Sequence, residues 1–554
     1  MSAGTLVRRP RPGRAVPLPQ LPTPPAAAPA PRAGTTAEPA PRRSARDLLT
    51  ADRVTAAVTF AVALAVGLWN VTDATAFQDD EGTYAAQAAA AASGGFGPYT
   101  YWYDHPPLGW FQLAALAAIP RALGIGDGSE LALMRAVAGL LLAVTALLVL
   151  LVLRRLAAPR TIALVAVALL LTSPLALTLG RQVFLDNVAT PWLLLAVWLA
   201  LSPRRALWAH AGAGAALGVA VLTKLTSLAL GPAVLVALLA GGRWRGRSFS
   251  LTAFLTAASL VVTVFPLMAL LRTELLAGDG HVSLQEGLEF QLADRSTSGS
   301  FWDGATDRHA LVIGWVGQSP LLVVAGVLGA IACLTAARTR WLPVALACLA
   351  LPMIAMTGYL PGMYVVGTLP FLAIAAGAGA ARVWGALTSP VRARVTAGRG
   401  WRIATAGVAV ATIAALGAAV APSWRAEVRP LATARANDDF REAVAWVETH
   451  VPASDDVVVP FSAWSAVQEQ GRGGPWNVIA LEKVDRDSAF EAAHPDGWRS
   501  VEWILEGPTT RPNIDNLALA DVGSALESSE VVATFGAWSV HRVTPSALER
   551  QVRS

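Results

Sequence analysis

At 554 residues the chain has room for three or four soluble domains of about 150 residues, yet 54% of it is hydrophobic and only 15% charged, against roughly 25% charged in an ordinary soluble protein. The apolar residues come in long runs and not as amphipathic stripes, which excludes an ordinary soluble enzyme and indicates an α-helical polytopic membrane protein with soluble material attached. The net charge of +5 comes from arginines clustered mostly between apolar runs, so it speaks for topology control and against nucleic-acid binding.

Residues 1–50 are rich in Pro, Ala and Arg and have no apolar face to bury. The segment reads as a disordered cytoplasmic tail near anionic lipid, and not as a signal peptide, because no short apolar core follows its basic residues. Apolar runs follow at 54–71, 131–153, 161–179, 188–201, 206–222, 226–239, 251–271, 320–336, 341–357, 363–383 and 403–420, with a shorter one at 108–122. A crossing needs about 20 apolar residues. The Arg pairs and triplets at 154–160, 204–205, 243–247, 338–340 and 392–402 all fall on the cytoplasmic side if 108–122 lies in the interface or re-enters. That gives 11 crossings within a transmembrane domain at 51–423 in the cell membrane. It places 77–121, 181–187, Lys224, 272–319 and the C-terminal region outside. Residues 424–554 alternate helical and strand patterns: DDFREAVAWVETHV is an amphipathic helix, DDVVVPF and VEWILEG are strands, and VVATFGAWSVHRV is a hairpin. They predict a small extracytoplasmic α/β domain. Cys333 and Cys348 lie in apolar runs, outside any metal or disulfide framework.

Charge that survives beside apolar runs is expensive and marks candidate chemistry. FQDDEGTY places Asp79, Asp80 and Glu81 at a membrane edge, where like charges raise at least one pKa and suit a general base or a cation site; a solvated acidic loop is the alternative. In YDHPPLGWFQ, Asp104 and His105 precede two prolines that fix the entry to a helix, which Asp104 would cap. GRQVFLDN carries Arg181, Asp186 and Asn187, with an internal Arg–Asp pair as the plainer reading. Lys224 in VLTKLTS is one of two lysines, the other being Lys483. It sits between two short apolar runs; buried there it needs an anion, and phosphate fits, with snorkelling as the alternative. The 272–319 loop is charged enough for a lid, and Tyr359 and Tyr364 sit near the outer face. No Walker loop, zinc-type spacing, Ser-His-Asp signature or dinucleotide fingerprint occurs.

Asp80-Glu81 with Tyr84, the HPPL of 105–108, Arg181 with Asp186, and Leu222-Thr223-Lys224, in this order, resemble the GT-C glycosyltransferases over about residues 54–383. Within them they resemble the branch of protein O-mannosyltransferases, lipid A aminoarabinose transferases and bacterial phospholipid-carrier-dependent glycosyltransferases. The resemblance implies a sugar donor on a polyprenyl monophosphate and an extracytoplasmic protein, lipid or polysaccharide acceptor. It implies inversion at the anomeric carbon, with Asp80 as general base. Glu81 and Asp104 would orient the acceptor or a cation. Lys224, helped by Arg181 or Arg295, would stabilise the leaving phosphate, with Tyr84, His105 and Asp186 completing the binding site. Some relatives use a divalent cation and others none; Asp80 with Asp186 would hold one, oxygen ligands favouring Mg or Mn. The aminoarabinose transferases tend to carry Glu-Lys before the Pro-Pro pair, where this chain has Asp104-His105. The competing readings are a sugar-lipid transporter or flippase and a non-catalytic carrier-binding protein.

Overall fold

The computed structural model describes residues 45–95, 103–124, 129–240, 245–278, 281–394, 418, 422, 424–474 and 476–544. The expected crossing over 403–420 and most of the 1–50 tail fall outside the described residues.

Helices dominate the first part. In chain order they are α1 (Ala45–Leu68), α2 (Asp79–Ala92), α3 (Leu108–Ala122), α4 (Glu130–Arg155), α5 (Arg160–Leu171), α6 (Pro174–Thr178), α7 (Leu185–Ala200), α8 (Leu207–Thr223) and α9 (Gly231–Leu239). After these come α10 (Arg247–Val262), α11 (Val264–Leu271), α12 (Leu284–Glu289), α13 (Asp307–Gln318), α14 (Pro320–Cys333), α15 (Trp341–Ile354) and α16 (Leu369–Arg394). Among the described residues four helical stretches are long and apolar enough to cross a membrane: 51–68, Glu130–Arg155, Arg247–Leu271 and Gly362–Ala386. Two more are bent pairs, Arg160–Leu171 with Pro174–Arg181 at 65° and Asp307–Gln318 with Pro320–Cys333 at 92°. The expected runs at 188–201, 206–222, 226–239 and 341–357 form shorter apolar helices, so length and composition alone give fewer full crossings than the 11 expected.

The bends have local causes. Pro174 and Pro320 cannot donate a backbone hydrogen bond, and each bars the preceding serine from the helical region. Ser173 is accordingly extended (ψ 125°) and its hydroxyl bonds that of Ser319 at 2.7 Å, so the two breaks brace each other. Lys224 ends α8 with extended dihedrals (φ −151°, ψ 119°) before the chain re-enters a 3-10 turn at Leu225–Leu230. α1 and α4 cross where Gly67 meets Gly139, and a Cβ on Gly67 would lie 2.4 Å from the Gly139 carbonyl oxygen. Small residues permit such close approach between apolar helices.

The C-terminal part begins with α17 (424–433) and α18 (Asp438–His450), followed by β1 (Val457–Val459), α19 (Phe461–Gln468), β2 (Val478–Ala480) and α20 (Lys483–Arg486). β3 (Trp503–Glu506), β4 (Ser529–Phe535) and β5 (Trp538–Val543) complete a sheet of order β2-β1-β3-β5-β4. β1 runs parallel to β2 and β3, whereas β3–β5 and β4–β5 are antiparallel. The DDFREAVAWVETHV helix, the two strands and the hairpin thus form as their patterns predict. β2 is the addition: three apolar residues are too few to show alternation.

One apolar cluster joins the two parts. Tyr84 and Ala85 of α2, Trp110 and Leu113 of α3, and Leu185 of α7 pack with Phe440, Val459, Ala463 and Trp464 of the C-terminal part. At the contact, a Cβ on Gly82 would stand 1.9 Å from the Phe461 carbonyl oxygen, so only glycine lets α2 lie against the start of α19. Asn437 ties the same region from above: its side chain accepts from Phe77 N (3.0 Å) and donates to the carbonyls of Thr72 (2.7 Å) and Thr75 (3.0 Å).

Candidate active site

Three adjacent carboxylates open α2, and the helical rotation of about 100° per residue sends them three ways. Asp79 turns to the C-terminal part: its Oδ1 accepts from Ser462 N at 3.1 Å and its Oδ2 from Asn513 Nδ2 at 2.7 Å. Glu81 turns inward and is fully buried. Arg135, also fully buried, grips it with Nε–Oε1 at 2.9 Å and Nη2–Oε2 at 2.6 Å. Val183 N donates to Oε1 at 2.9 Å and Gln78 N to Oε2 at 3.1 Å, closing a capping box at the start of α2. With four donors on two oxygens, Glu81 has its acceptor capacity filled. The remaining guanidinium protons of Arg135 go to backbone carbonyls, including Thr75 (2.7 Å) and Ala76 (2.9 Å), and its plane covers the Phe77 ring at 4.4 Å.

Asp80, between them, is half-buried. Its carboxylate meets no hydrogen-bond donor among the described residues. Burial holds it above the ordinary carboxylate value, against the opposing pull of Lys224, Arg295 and His105. Tyr84, one turn on, is buried, and its hydroxyl lies 3.2 Å from His105 Nε2. Burial raises the Tyr84 pKa, and Asp80 and Asp104 add to the rise. Burial lowers the His105 pKa, and Lys224 works in the same direction against Asp104 and Asp80. Tyr84 and His105 are therefore a neutral pair at neutral pH. Asp104 Oδ1 accepts from His105 N at 2.8 Å, which turns the chain before the two prolines. Tyr103 precedes them in the left-handed region (φ 56°), held by a hydrogen bond from its hydroxyl to Glu274. Such a conformation costs a non-glycine residue about 1–3 kcal/mol and persists only where surroundings impose it.

Lys224 and Asp186 form a buried ion pair. Its position is fixed from the neighbouring residue: Gln112 Nε2 donates to Thr223 Oγ1 at 2.7 Å, and Trp192 Nε1 donates to Gln112 Oε1 at 2.5 Å, linking α3, α7 and α8. Arg295, after the π turn Phe290–Asp294, stacks on Tyr359 at 3.7 Å and donates to Gln291 Oε1 at 3.1 Å. Its charge reaches both Asp80 and Tyr84.

The fold thus brings Asp80, Tyr84, Asp104, His105, Asp186, Lys224 and Arg295 within electrostatic reach of one another. Glu81 is buried beside them and held by Arg135. Arg181 is set elsewhere: it donates to the carbonyls of Leu177 and Trp69, capping the end of α1, and forms no pair with Asp186. Asp186, which with Asp80 is the candidate pair for a cation, has its Oδ2 held by Lys224. Among the described residues no group of three or more His, Cys, Asp or Glu side chains is placed to hold a metal ion. Arg135, Tyr103, Glu274 and Glu482 went unassigned in the sequence. Only Arg135 carried a signal, a lone charge inside a 26-residue apolar helix.

The chain resembles known proteins in part of its sequence and in its fold. The model of the dolichyl-phosphate-mannose-protein mannosyltransferase family matches residues 104–269, the stretch from Asp104 through α11. No curated protein matches the chain by sequence. Among solved structures, ArnT from Cupriavidus metallidurans in the apo state superposes with a TM-score of 0.54 at 19% identity, covering 90% of this chain and 99% of that one. The same protein bound to undecaprenyl phosphate gives 0.52 at 18% identity, with 91% and 99% covered. The archaeal oligosaccharyltransferase AglB from Archaeoglobus fulgidus, in complex with an inhibitory peptide and a dolichol-phosphate, gives 0.52 at 11% identity, covering 89% and 75%. The chain has the fold that these ArnT and AglB structures share.

Proposed function

We propose that the protein is an inverting membrane glycosyltransferase that moves a sugar from a polyprenyl-phosphate carrier to an acceptor hydroxyl on the outer face of the cell membrane. The observation that carries this reading is the Asp80 carboxylate: half-buried, without a hydrogen-bond donor among the described residues, and within electrostatic reach of the cations Lys224 and Arg295. The acceptor oxygen attacks the anomeric carbon while its proton passes to Asp80. The bond from that carbon to the phosphate oxygen breaks, and polyprenyl phosphate leaves with the electron pair. One displacement inverts the configuration.

The other residues take their roles from their places. Lys224 meets the phosphate, held in position by Asp186. Arg295, braced on Tyr359, reaches the same charge from the outer loop. Fixed cations in a low-dielectric site stabilise a developing phosphate by about 3–4 kcal/mol, on the scale of one oxyanion-hole donor. Asp104 and the Tyr84–His105 pair line the acceptor side. Glu81 and Arg135 hold α2 so that Asp80 points inward. The relatives support the donor class: one ArnT structure holds undecaprenyl phosphate and the AglB complex holds dolichol-phosphate.

The test is release of polyprenyl phosphate from polyprenyl-phosphate mannose, glucose and arabinose by the full chain in nanodiscs, with a membrane and wall extract as acceptor. Acceptor-dependent release, lost in Asp80→Asn, is expected. Carrier binding without release from any donor points to a non-catalytic binder. Sugar-lipid crossing between leaflets without release points to a flippase, and either result overturns the reading.

A further inference from the structure

Lys483, the second of the two lysines, lies within electrostatic reach of Asp104. α20 begins at Lys483, directly after β2 and Glu482. Two contacts bring this segment over the site. On one side Asp79, the neighbour of Asp80, is bonded to Ser462 and Asn513 of the C-terminal part. On the other, Arg486 lies over the ring of Phe290, 5.8 Å from its centroid, in the π turn that leads to Arg295.

Lys483 is buried and its ammonium lies 3.4 Å from Asp487 Oδ2. Glu482 is different. Its Oε2 is shielded from water and has no hydrogen-bond partner among the described residues. The charges of Asp79 and Asp80 act on it, and that of Asp104 acts on Lys483. A buried polar atom left without a partner is rare in a native protein and calls for a reason.

We infer that Glu482 of the C-terminal part forms the wall of the acceptor subsite and accepts a hydrogen bond from a hydroxyl of a polyhydroxylated, uncharged acceptor, a glycan. This rests on the glycosyltransferase reading. The acceptor side offers more hydrogen-bond acceptors than donors: the carboxylate of Asp80 and Oε2 of Glu482 both lack one. An anionic acceptor group would meet three aspartates and this glutamate, whereas a run of sugar hydroxyls supplies the missing donors. Burial, with Asp79 and Asp80 adding to it and Lys483 opposing, raises the Glu482 pKa to about 7, so its acceptor bond strengthens as pH rises through neutrality.

The experiment uses the full chain in nanodiscs with the three sugar-lipids and graded membrane and wall extract. Glu482→Gln, nearly isosteric, is expected to raise the half-saturating amount of extract about tenfold, the loss of one hydrogen bond to a charged group. It should leave the Kd for undecaprenyl phosphate unchanged. Wild-type half-saturation should vary with pH around 7 and that of Glu482→Gln should not. Glu482→Asp, which keeps the charge, should fall between the two and serves if the Gln variant does not fold. Periodate oxidation of the extract, which cleaves vicinal diols, should abolish its acceptor activity. Wild-type saturation in both Glu482 variants, or an extract indifferent to periodate, overturns this inference alone. Absence of release by the wild type overturns the glycosyltransferase reading and this inference with it.

Discussion

The proposed mechanism requires Asp80 ionised, which costs the fold stability, and the sign of that cost is measurable. Its folded pKa is raised by burial above the unfolded value. Between those two values the folded chain binds the extra proton, so stability falls as pH rises through the window. Asp80→Asn removes the cost. Its Tm in nanodiscs is expected to exceed that of the wild type at pH 7, with the difference vanishing below about pH 4, under the unfolded carboxylate pKa. A lower Tm at pH 7 would mean that the carboxylate holds structure together. Activity has the complementary dependence: kcat/KM falls as acid titrates Asp80 through a midpoint above the ordinary carboxylate value. The DDE cluster was legible as chemistry, but its division of labour was not. That division depends on Ser462, Asn513 and Arg135, which sequence places 54 to 434 positions away.

At the scale of elements, the start of α2 is the positioning device. Glu81 is its anchor and Arg135 the bolt through α4. Breaking one partner of a buried pair leaves a bare charge, worth about 3–5 kcal/mol. Glu81→Gln is therefore expected to lower the thermal midpoint markedly, and Glu81→Gln with Arg135→Met to recover part of the loss. A Glu81→Gln variant as stable as the wild type yet inactive would assign Glu81 to the chemistry instead. The helix break at Lys224 was legible, because a lone lysine between two short apolar runs has few places to go. Its partner was misjudged. Asp186 read as the companion of Arg181, five residues away, yet it pairs with Lys224, 38 residues away. α7 and α8 pack side by side and bring the two ends together, while Arg181 caps α1.

For the whole molecule, the apolar cluster that runs from α2 and α3 into the C-terminal part packs that part against the elements that carry the candidate site. Gly82→Val should pry α19 from α2, because its Cβ alone would stand 1.9 Å from the Phe461 carbonyl oxygen. Faster limited proteolysis after residue 424 together with a loss of transfer is expected; unchanged cleavage would mean that the contact is not needed. Hydropathy and arginine clusters gave the membrane character and the helix positions. They did not show the bends at Ser173-Pro174 and Ser319-Pro320, or that four of the runs form apolar helices of fewer than 18 residues.

In the proposed mechanism one site holds a carrier-binding cation, Lys224, apart from an acceptor-activating base, Asp80. The most direct measurement is equilibrium binding of undecaprenyl phosphate, beside turnover, for the wild type, Asp80→Asn and Lys224→Met in nanodiscs. Asp80→Asn should bind the carrier as tightly as the wild type or tighter, having lost a nearby negative charge, while transferring no sugar. Lys224→Met should lose carrier affinity at least about tenfold, the effect of deleting one buried charge that faces another. Carrier binding lost in Asp80→Asn, or kept in Lys224→Met, would contradict the assignment of the two residues.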